Sequence, residues 1–401
     1  MPVCIFCDTE LTEDTKPEHI LSNALGGRKT TRGVICSKHN GDFGGTIDKA
    51  FAKQVEHTRN LLQLDSGTGN APPMLRNLKS GSDTINIRGD GTPEIVAKPF
   101  EITKRPDGNY DLKIMARSPE QLAQIVPHIA AKLGWTEERV INLIKSSTGS
   151  IISKRPAPVH LKLSFGGPEA IRSITKSCLE LWALATSNEE VKSGPYDAAR
   201  NFVVNGDDQF NRTRSHLDSR YLPHSDTLKK KFGELFNLIY VRSDDTGRVI
   251  GHFTLYNIIS WQVVLAEKGG RPNTKIALAS NPLDPVCWSD MVADDFDIEF
   301  SWLNTPDYTD EFKRAQARVA AMMQLYLRRG MESETGRIVD GVFNRVGAPE
   351  GFPRSNEEMF QQVVGEISDR AARLMLNMPH EQKLTPEEIE KMLRGVPKSR
   401  D

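Results

Sequence analysis

The chain has 401 residues and a mass of 44.8 kDa, more than one compact core of ordinary size holds, so two or three domains are expected. Lys and Arg number 52 against 53 Asp and Glu, and the formal net charge of -1 excludes a strongly basic protein that coats nucleic acid by bulk electrostatics. A hydrophobic fraction of 38%, a mean hydropathy of -0.45 and no apolar run near the ~20 residues that span a bilayer argue for a soluble chain without membrane contact. Met1-Pro2-Val3-Cys4 lacks the basic and apolar regions of a signal peptide, so a cytoplasmic location is expected.

In chain order, residues 1–64 read as one small unit dense in Cys, His and Gly, closing with a helix over 46–64. The polar run Asp65-Ser66-Gly67-Thr68-Gly69-Asn70-Ala71-Pro72-Pro73 opens a linker, taken over 65–82. A mixed α+β body follows over 83–350. Alternation of apolar and polar residues predicts a β-meander over 84–117, and Ser118-Pro119-Glu120 supplies a capping oxygen, a first-turn proline and an early acid for a helix reaching 133. A strand over 159–165 then precedes an amphipathic helix from 168 to about 186. A hairpin is expected from Leu238-Ile239-Tyr240-Val241 and Val249-Ile250-Gly251-His252-Phe253-Thr254-Leu255 around the turn Asp244-Asp245-Thr246-Gly247, with strands over 275–279 and 296–300 and a helix over 310–329. The tail, 351–401, reads as helices, the last opened by Thr385-Pro386-Glu387-Glu388, and no internal repeat is seen. The fold class is therefore α+β: a small zinc-stapled module, a larger mixed body and a helical tail.

Three of the five cysteines fall in the first tenth of the chain, which in a reducing compartment favours metal over disulfide. Cys4-Ile5-Phe6-Cys7 and Cys36-Ser37-Lys38-His39 each place two ligands three residues apart, and four such donors suit tetrahedral Zn²⁺. The alternative, two unrelated thiols and a surface histidine, requires that paired spacing to arise twice by chance in a short segment. A closed four-ligand site holds a fold together rather than reacting. Below ~70 residues a core alone seldom supplies enough free energy, so a structural zinc is a fitting staple.

Lys16-Pro17-Glu18-His19-Ile20-Leu21, then Asn23-Ala24-Leu25-Gly26-Gly27, then Cys36 to Asn40, together resemble the HNH endonuclease family, in particular its zinc-containing branch, with His39 where a cysteine is usual. The resemblance implies a ββα-metal module in which Glu18 and Asn40 hold a catalytic divalent ion, Mg²⁺ or Mn²⁺, and His19 is the general base. Residue geometry agrees with that division, because neighbours on a strand point to opposite sides and His39 and Asn40 at a helix start are rotated apart by about 100°. The central asparagine of the family usually lies where this chain has Thr30-Thr31-Arg32-Gly33; either Asn23 takes over its loop-bracing role or that role is absent. Arg28, Lys29 and Arg32 are expected to touch the DNA backbone, a solvated loop being the alternative. A P-loop reading of Gly26-Gly27-Arg28-Lys29-Thr30-Thr31 fails because Arg28 breaks the motif and no upstream glycine has the required spacing.

The expected function is therefore metal-dependent hydrolysis of DNA phosphodiester bonds. A host tolerates such an enzyme only if it is specific or gated, which suggests bacterial antiviral defence. The alternative is a non-catalytic zinc-stapled adaptor for nucleic acid or protein. Downstream, Pro195-Tyr196-Asp197-Ala198-Ala199-Arg200-Asn201-Phe202 and Gly251-His252-Phe253-Thr254-Leu255-Tyr256 look similar to a region found behind some HNH modules in bacterial proteins. No chemistry follows from it, and the body's open roles are binding of DNA, of a regulatory ligand or partner, or of a second copy of the chain. His252 reads as a hydrogen-bonded core histidine, and Cys178 and Cys287 as small buried hydrophobes. Arg200, Arg212, Arg214, Arg220 and Lys229-Lys230-Lys231, offset by Asp207, Asp208, Asp218 and Asp226, either guide DNA or form a solvated surface.

Overall fold

The computed structural model describes residues 2–116, 119–153, 155–284, 290–291, 296–345 and 357–393. Its contacts gather into two compact units, one made of Met1–Leu75, Ile87–Thr92 and Leu161–Gly330, the other of Arg76–Asn86, Pro93–His160 and Met331–Asp401.

The first unit opens with the short antiparallel pair β1 (Glu18–His19) and β2 (Thr30–Thr31), followed by α1 (Ser37–Gly45), α2 (Ile47–Gln54) and α3 (Glu56–Leu62). The helix expected over 46–64 is thus two helices, interrupted at Val55, whose φ is -96° and ψ 0°, while Phe51, Val55 and Leu62 all stay buried. Packing decides against an uninterrupted period.

In the second unit β3 (Leu75–Ser80), β4 (Asp83–Ile87) and β5 (Pro93–Ile95) form one sheet, and β6 (Phe100–Lys104) and β7 (Tyr110–Ile114) another. The meander expected over 84–117 is therefore divided. Pro99, which has no N–H to give a ladder, precedes β6 at the division. Then come α4 (Pro119–Leu133), α5 (Glu137–Lys145) with Thr136 accepting from the Arg139 amide as its cap, and β8 (Ser150–Ser153). Ser118, the expected cap of α4, lies outside the described residues. The strand expected over 159–165 does not form. Pro156 and Pro158 precede it, and only an isolated bridge joins Val159 to Ser80.

The first unit resumes with α6 (Pro168–Ala185), α7 (Asn188–Lys192), α8 (Asp197–Asn205), α9 (Asp208–Arg214), β9 (Ser215–Asp218) and α10 (Ser225–Phe232). Its sheet adds β10 (Asn237–Ser243), β11 (Val249–Leu255), β12 (Ile259–Ala266), β13 (Lys275–Ser280) and β14 (Asp290–Met291), antiparallel in the order β14-β13-β10-β11-β12-β9. The β10–β11 turn falls where the sequence places it, with Asp244 Oδ1 accepting from the amides of Thr246 and Arg248 at 2.9 and 2.8 Å. Strand alternation sorts the side chains into two cores: Ile239 and Val241 join α6 on one face, Leu238 and Tyr240 join Phe232 of α10 on the other.

The strand expected over 296–300 is absent. The Ile298 amide donates to the Tyr240 hydroxyl and its carbonyl accepts from Tyr240 and Arg242, so side chains satisfy its backbone in place of a ladder, and α11 (Phe300–Asn304) starts at once. The helix expected over 310–329 continues further, as α12 (Glu311–Arg345). In the second unit α13 (Glu357–Met375), β15 (His380–Lys383) and α14 (Pro386–Leu393) follow, β15 pairing antiparallel with β8. Thr385 and Glu388 cap α14 reciprocally, hydroxyl to amide at 3.2 Å and carboxylate to amide at 2.8 Å.

Residues 1–64 do not keep a core to themselves. One apolar cluster runs from Cys4, Ile5, Ile20, Leu25, Phe43 and Phe51 to Ile174, Leu181, Trp182, Phe253 and Trp261. Among the described residues no helix is long and apolar enough to cross a membrane.

Candidate metal centre and active site

The turn after Cys4 and the start of α1 bring Cys4, Cys7, Cys36 and His39 together, their ligand atoms all within 4.8 Å of one another. Cys7 gives its amide to the Cys4 carbonyl at 3.3 Å, and the Phe6 amide points at Cys4 Sγ at 3.5 Å, so the backbone curls around the first pair. The separations are Cys4 Sγ to His39 Nδ1 3.5 Å, Cys36 Sγ to His39 Nδ1 3.4 Å and Cys7 Sγ to Cys36 Sγ 3.8 Å. Tetrahedral Zn²⁺ with bonds of ~2.3 Å to sulfur and ~2.0 Å to nitrogen sets edges of about 3.8 Å between sulfurs and about 3.5 Å from sulfur to nitrogen. The donor set fits that ion. Burial pushes the Cys4 thiol up to about 12, a penalty that a zinc-bound thiolate escapes. Phe6 and Phe43 pack against the His39 ring, with centroids at 5.7 and 5.3 Å.

Between the two ligand pairs in sequence, β1 carries the acid and the imidazole. Glu18 and His19 pair with Thr31 and Thr30, and their alternation turns Glu18 inward, where it is 6% exposed, while His19 is half-buried. Glu18 Oε1 accepts from Lys176 Nζ of α6 at 2.6 Å. The same ammonium donates to Asp48 Oδ2 of α2 at 2.6 Å and lies 4.0 Å from Glu180 Oε1, one turn along α6. Ser173 Oγ holds the other Asp48 oxygen at 2.5 Å. Lys176 is 1% exposed and Glu180 fully buried, and neither Glu180 oxygen has a hydrogen-bond partner among the described residues. Burial opposes the charge on Lys176, but Glu180, Asp48 and Glu18 outweigh it and raise its pKa, whereas burial raises Glu180 well above the ordinary carboxylate value and favours its protonated form. Burial also pushes Glu18 up in spite of Lys176.

His19 is pushed the other way. Burial first, and then the Lys176 charge, lower its pKa, so the ring is neutral at pH 7. Asn40, 8% exposed in the first turns of α1, donates from Nδ2 to the carbonyls of Pro17 at 3.0 Å and Lys16 at 3.4 Å, which fastens the helix to the chain entering β1. Asn23 braces a loop: its Oδ1 accepts from the Thr68 amide at 3.0 Å and its carbonyl from the Gly67 amide at 2.8 Å. Arg28 and Lys29, both half-buried, lie between the two strands, and the exposed Arg32 follows β2 and donates to the Thr15 carbonyl.

For a divalent ion the fit is different from that of zinc. Glu18 and Asn40 offer hard oxygens, yet Oε1 of Glu18 already accepts from a buried ammonium and the Asn40 amide is engaged on carbonyls. As arranged, the pair is not an open Mg²⁺ or Mn²⁺ site.

Several residues that position this centre carry no local signal in the sequence. Asn188 of α7 donates to the carbonyls of Val3 and Gly33, each at 2.7 Å, Lys192 donates to the Cys7 carbonyl at 2.9 Å, and Asn237 of β10 to the Leu25 carbonyl at 3.0 Å. Elsewhere, His252 is a 1% exposed core residue hydrogen-bonded to Thr254 at 3.0 Å, and Cys178 is fully buried; Cys287 lies outside the described residues. Arg220 is neither a DNA guide nor solvated surface, being buried against Asp218 at 2.8 Å and over the Trp302 ring at 3.7 Å.

No curated protein and no solved structure matches the chain. Residues 4–56, which carry the zinc-ligand cluster, Glu18, His19 and Asn40, match the family model of the HNH endonucleases, and the N-terminal segment is identified at that level.

Proposed function

We propose that the protein is a DNA endonuclease that hydrolyses phosphodiester bonds, with His19 as general base. The observation that carries this reading is the match of 4–56 to HNH endonucleases. The half-buried imidazole, neutral at pH 7, supports it. Neutral His19 takes a proton from water as the oxygen attacks phosphorus; the bond from phosphorus to the 3′ oxygen breaks, and that oxygen takes a proton from solvent, leaving a 5′ phosphate and a 3′ hydroxyl. Asn40 holds the chain entering β1 and Asn23 braces the loop after it, and Arg28, Lys29 and Arg32, beside β2, are the cations offered to the DNA backbone. Cys4, Cys7, Cys36 and His39 hold a structural zinc that fastens the N-terminal segment. A Mg²⁺ or Mn²⁺ ion belongs to the reading through the resemblance alone.

The second reading, a zinc-held adaptor without catalysis, is favoured by one observation, the grip of Lys176 on Glu18. Incubation of the full chain with closed circular plasmid, in Mg²⁺, in Mn²⁺ and in EDTA, separates the two. An endonuclease yields nicked or linear DNA that ligase reseals without prior phosphorylation. Intact plasmid under every condition, together with a measurable shift in a DNA-binding assay, would leave the adaptor.

A further inference from the structure

The cluster around Lys176 joins four ionisable side chains from three separate elements, and only one of them is basic. Lys176 Nζ touches Glu18 Oε1 and Asp48 Oδ2 at 2.6 Å each and Glu180 at 4.0 Å. A carboxylate buried to 6% exposure needs a compensating charge, and a metal ion or an ammonium can supply it. Here the ammonium is fixed. It sits midway along α6, a helix buried through most of its length between α2 and the large sheet, so withdrawing Lys176 would mean opening the core of the first unit.

We infer that Lys176 is the resident cation of the Glu18 carboxylate: it excludes a divalent ion from Glu18 and makes Glu18 a positioning residue for β1, rather than a metal ligand. The inference rests on the reading of Glu18 and His19 as the active centre, and it assigns the acid a different task there. Through the Glu18–Lys176–Asp48 bridge, β1, α2 and α6 are tied at one point, and His19 inherits its place from the tie. The acids left by removing the ammonium would form a cluster of Glu18, Asp48 and Glu180 with no cation, a set of hard oxygens that a divalent ion can satisfy.

The test uses Mn²⁺ as probe on the full-length, zinc-loaded chain, read by electron paramagnetic resonance of free Mn²⁺ and by thermal melting, neither of which depends on DNA cleavage. Wild type and Glu18→Gln are expected to bind Mn²⁺ equally, with no ion lost when Glu18 is neutralised. Lys176→Met is expected to melt at lower temperature than wild type, to bind Mn²⁺ at least about tenfold more tightly, and to regain melting temperature as Mn²⁺ is raised. Adding Glu18→Gln to Lys176→Met should remove both gains. A merely structural lysine would lower stability without creating a Mn²⁺ site. Loss of a Mn²⁺ site in Glu18→Gln relative to wild type would overturn the inference, as would a folded Lys176→Met that ignores Mn²⁺. Should Lys176→Met fail to fold with or without Mn²⁺, the comparison of wild type with Glu18→Gln decides alone. A plasmid that stays intact would count against the nuclease reading and leave the Mn²⁺ result untouched.

Discussion

At His19 two effects act in one direction, since desolvation and the neighbouring ammonium both penalise the imidazolium. A histidine whose folded pKa is lowered stays neutral below its ordinary value near 6.5, and becomes charged only as pH falls through the lowered value. The acid limb of the cleavage rate should accordingly lie below pH ~6.5, the unperturbed imidazole value. A single-turnover pH profile checks this, and a limb above that value would contradict it. In the zinc cluster, elemental analysis should find about one tightly held zinc per chain, lost on Cys36→Ser. The zinc ligands were legible because the two pairs lie close in sequence and repeat a spacing. The partners of Glu18 were not: Lys176 stands 158 residues away in a helix that also carries Glu169, Arg172 and Glu180, and nothing local distinguishes it from a solvated lysine.

Elements were readable where a local rule acts alone. Thr385-Pro386-Glu387-Glu388 forms the reciprocal cap its spacing predicts, and Asp244 builds the turn expected of it. Over 296–300 the expected strand gives way because the Tyr240 hydroxyl and the Arg242 guanidinium, distant in sequence, bind the backbone groups of Ile298. The loop joining β1 to β2 yields a sharper prediction. Gly26 has φ +90°, and a Cβ on Gly27 would stand 1.8 Å from the Leu21 carbonyl oxygen, a backbone atom that cannot step aside like a side chain. Gly27→Ala should therefore destabilise the protein by at least about 1–3 kcal/mol, the usual cost of overpacking a filled site. Denaturant melts measure it; an unchanged midpoint would show that the loop sits elsewhere.

For the molecule as a whole, the decisive feature is that the zinc-ligand segment lends its apolar side chains to the core of the first unit. An N-terminal part that folded by itself could lose its zinc without consequence elsewhere. With Cys4 and Cys36 in one cluster with Trp182 and Trp261, Cys36→Ser should instead alter the near-ultraviolet circular dichroism of those buried indoles. A peptide of residues 1–75 with zinc, deprived of Lys176, Asn188 and Asn237, should lack a cooperative melt. Composition and a break in polarity near 65–73 cannot reveal such sharing, because the contacts that create it join residues more than a hundred positions apart. The central claim, that this chain cuts DNA with His19 as base, is tested most directly by comparing parent and His19→Ala on closed circular plasmid at matched zinc content and melting temperature. The parent is expected to convert the plasmid and His19→Ala to do so at least about a hundredfold more slowly, the usual loss with a general base. Equal rates for the two proteins would contradict it.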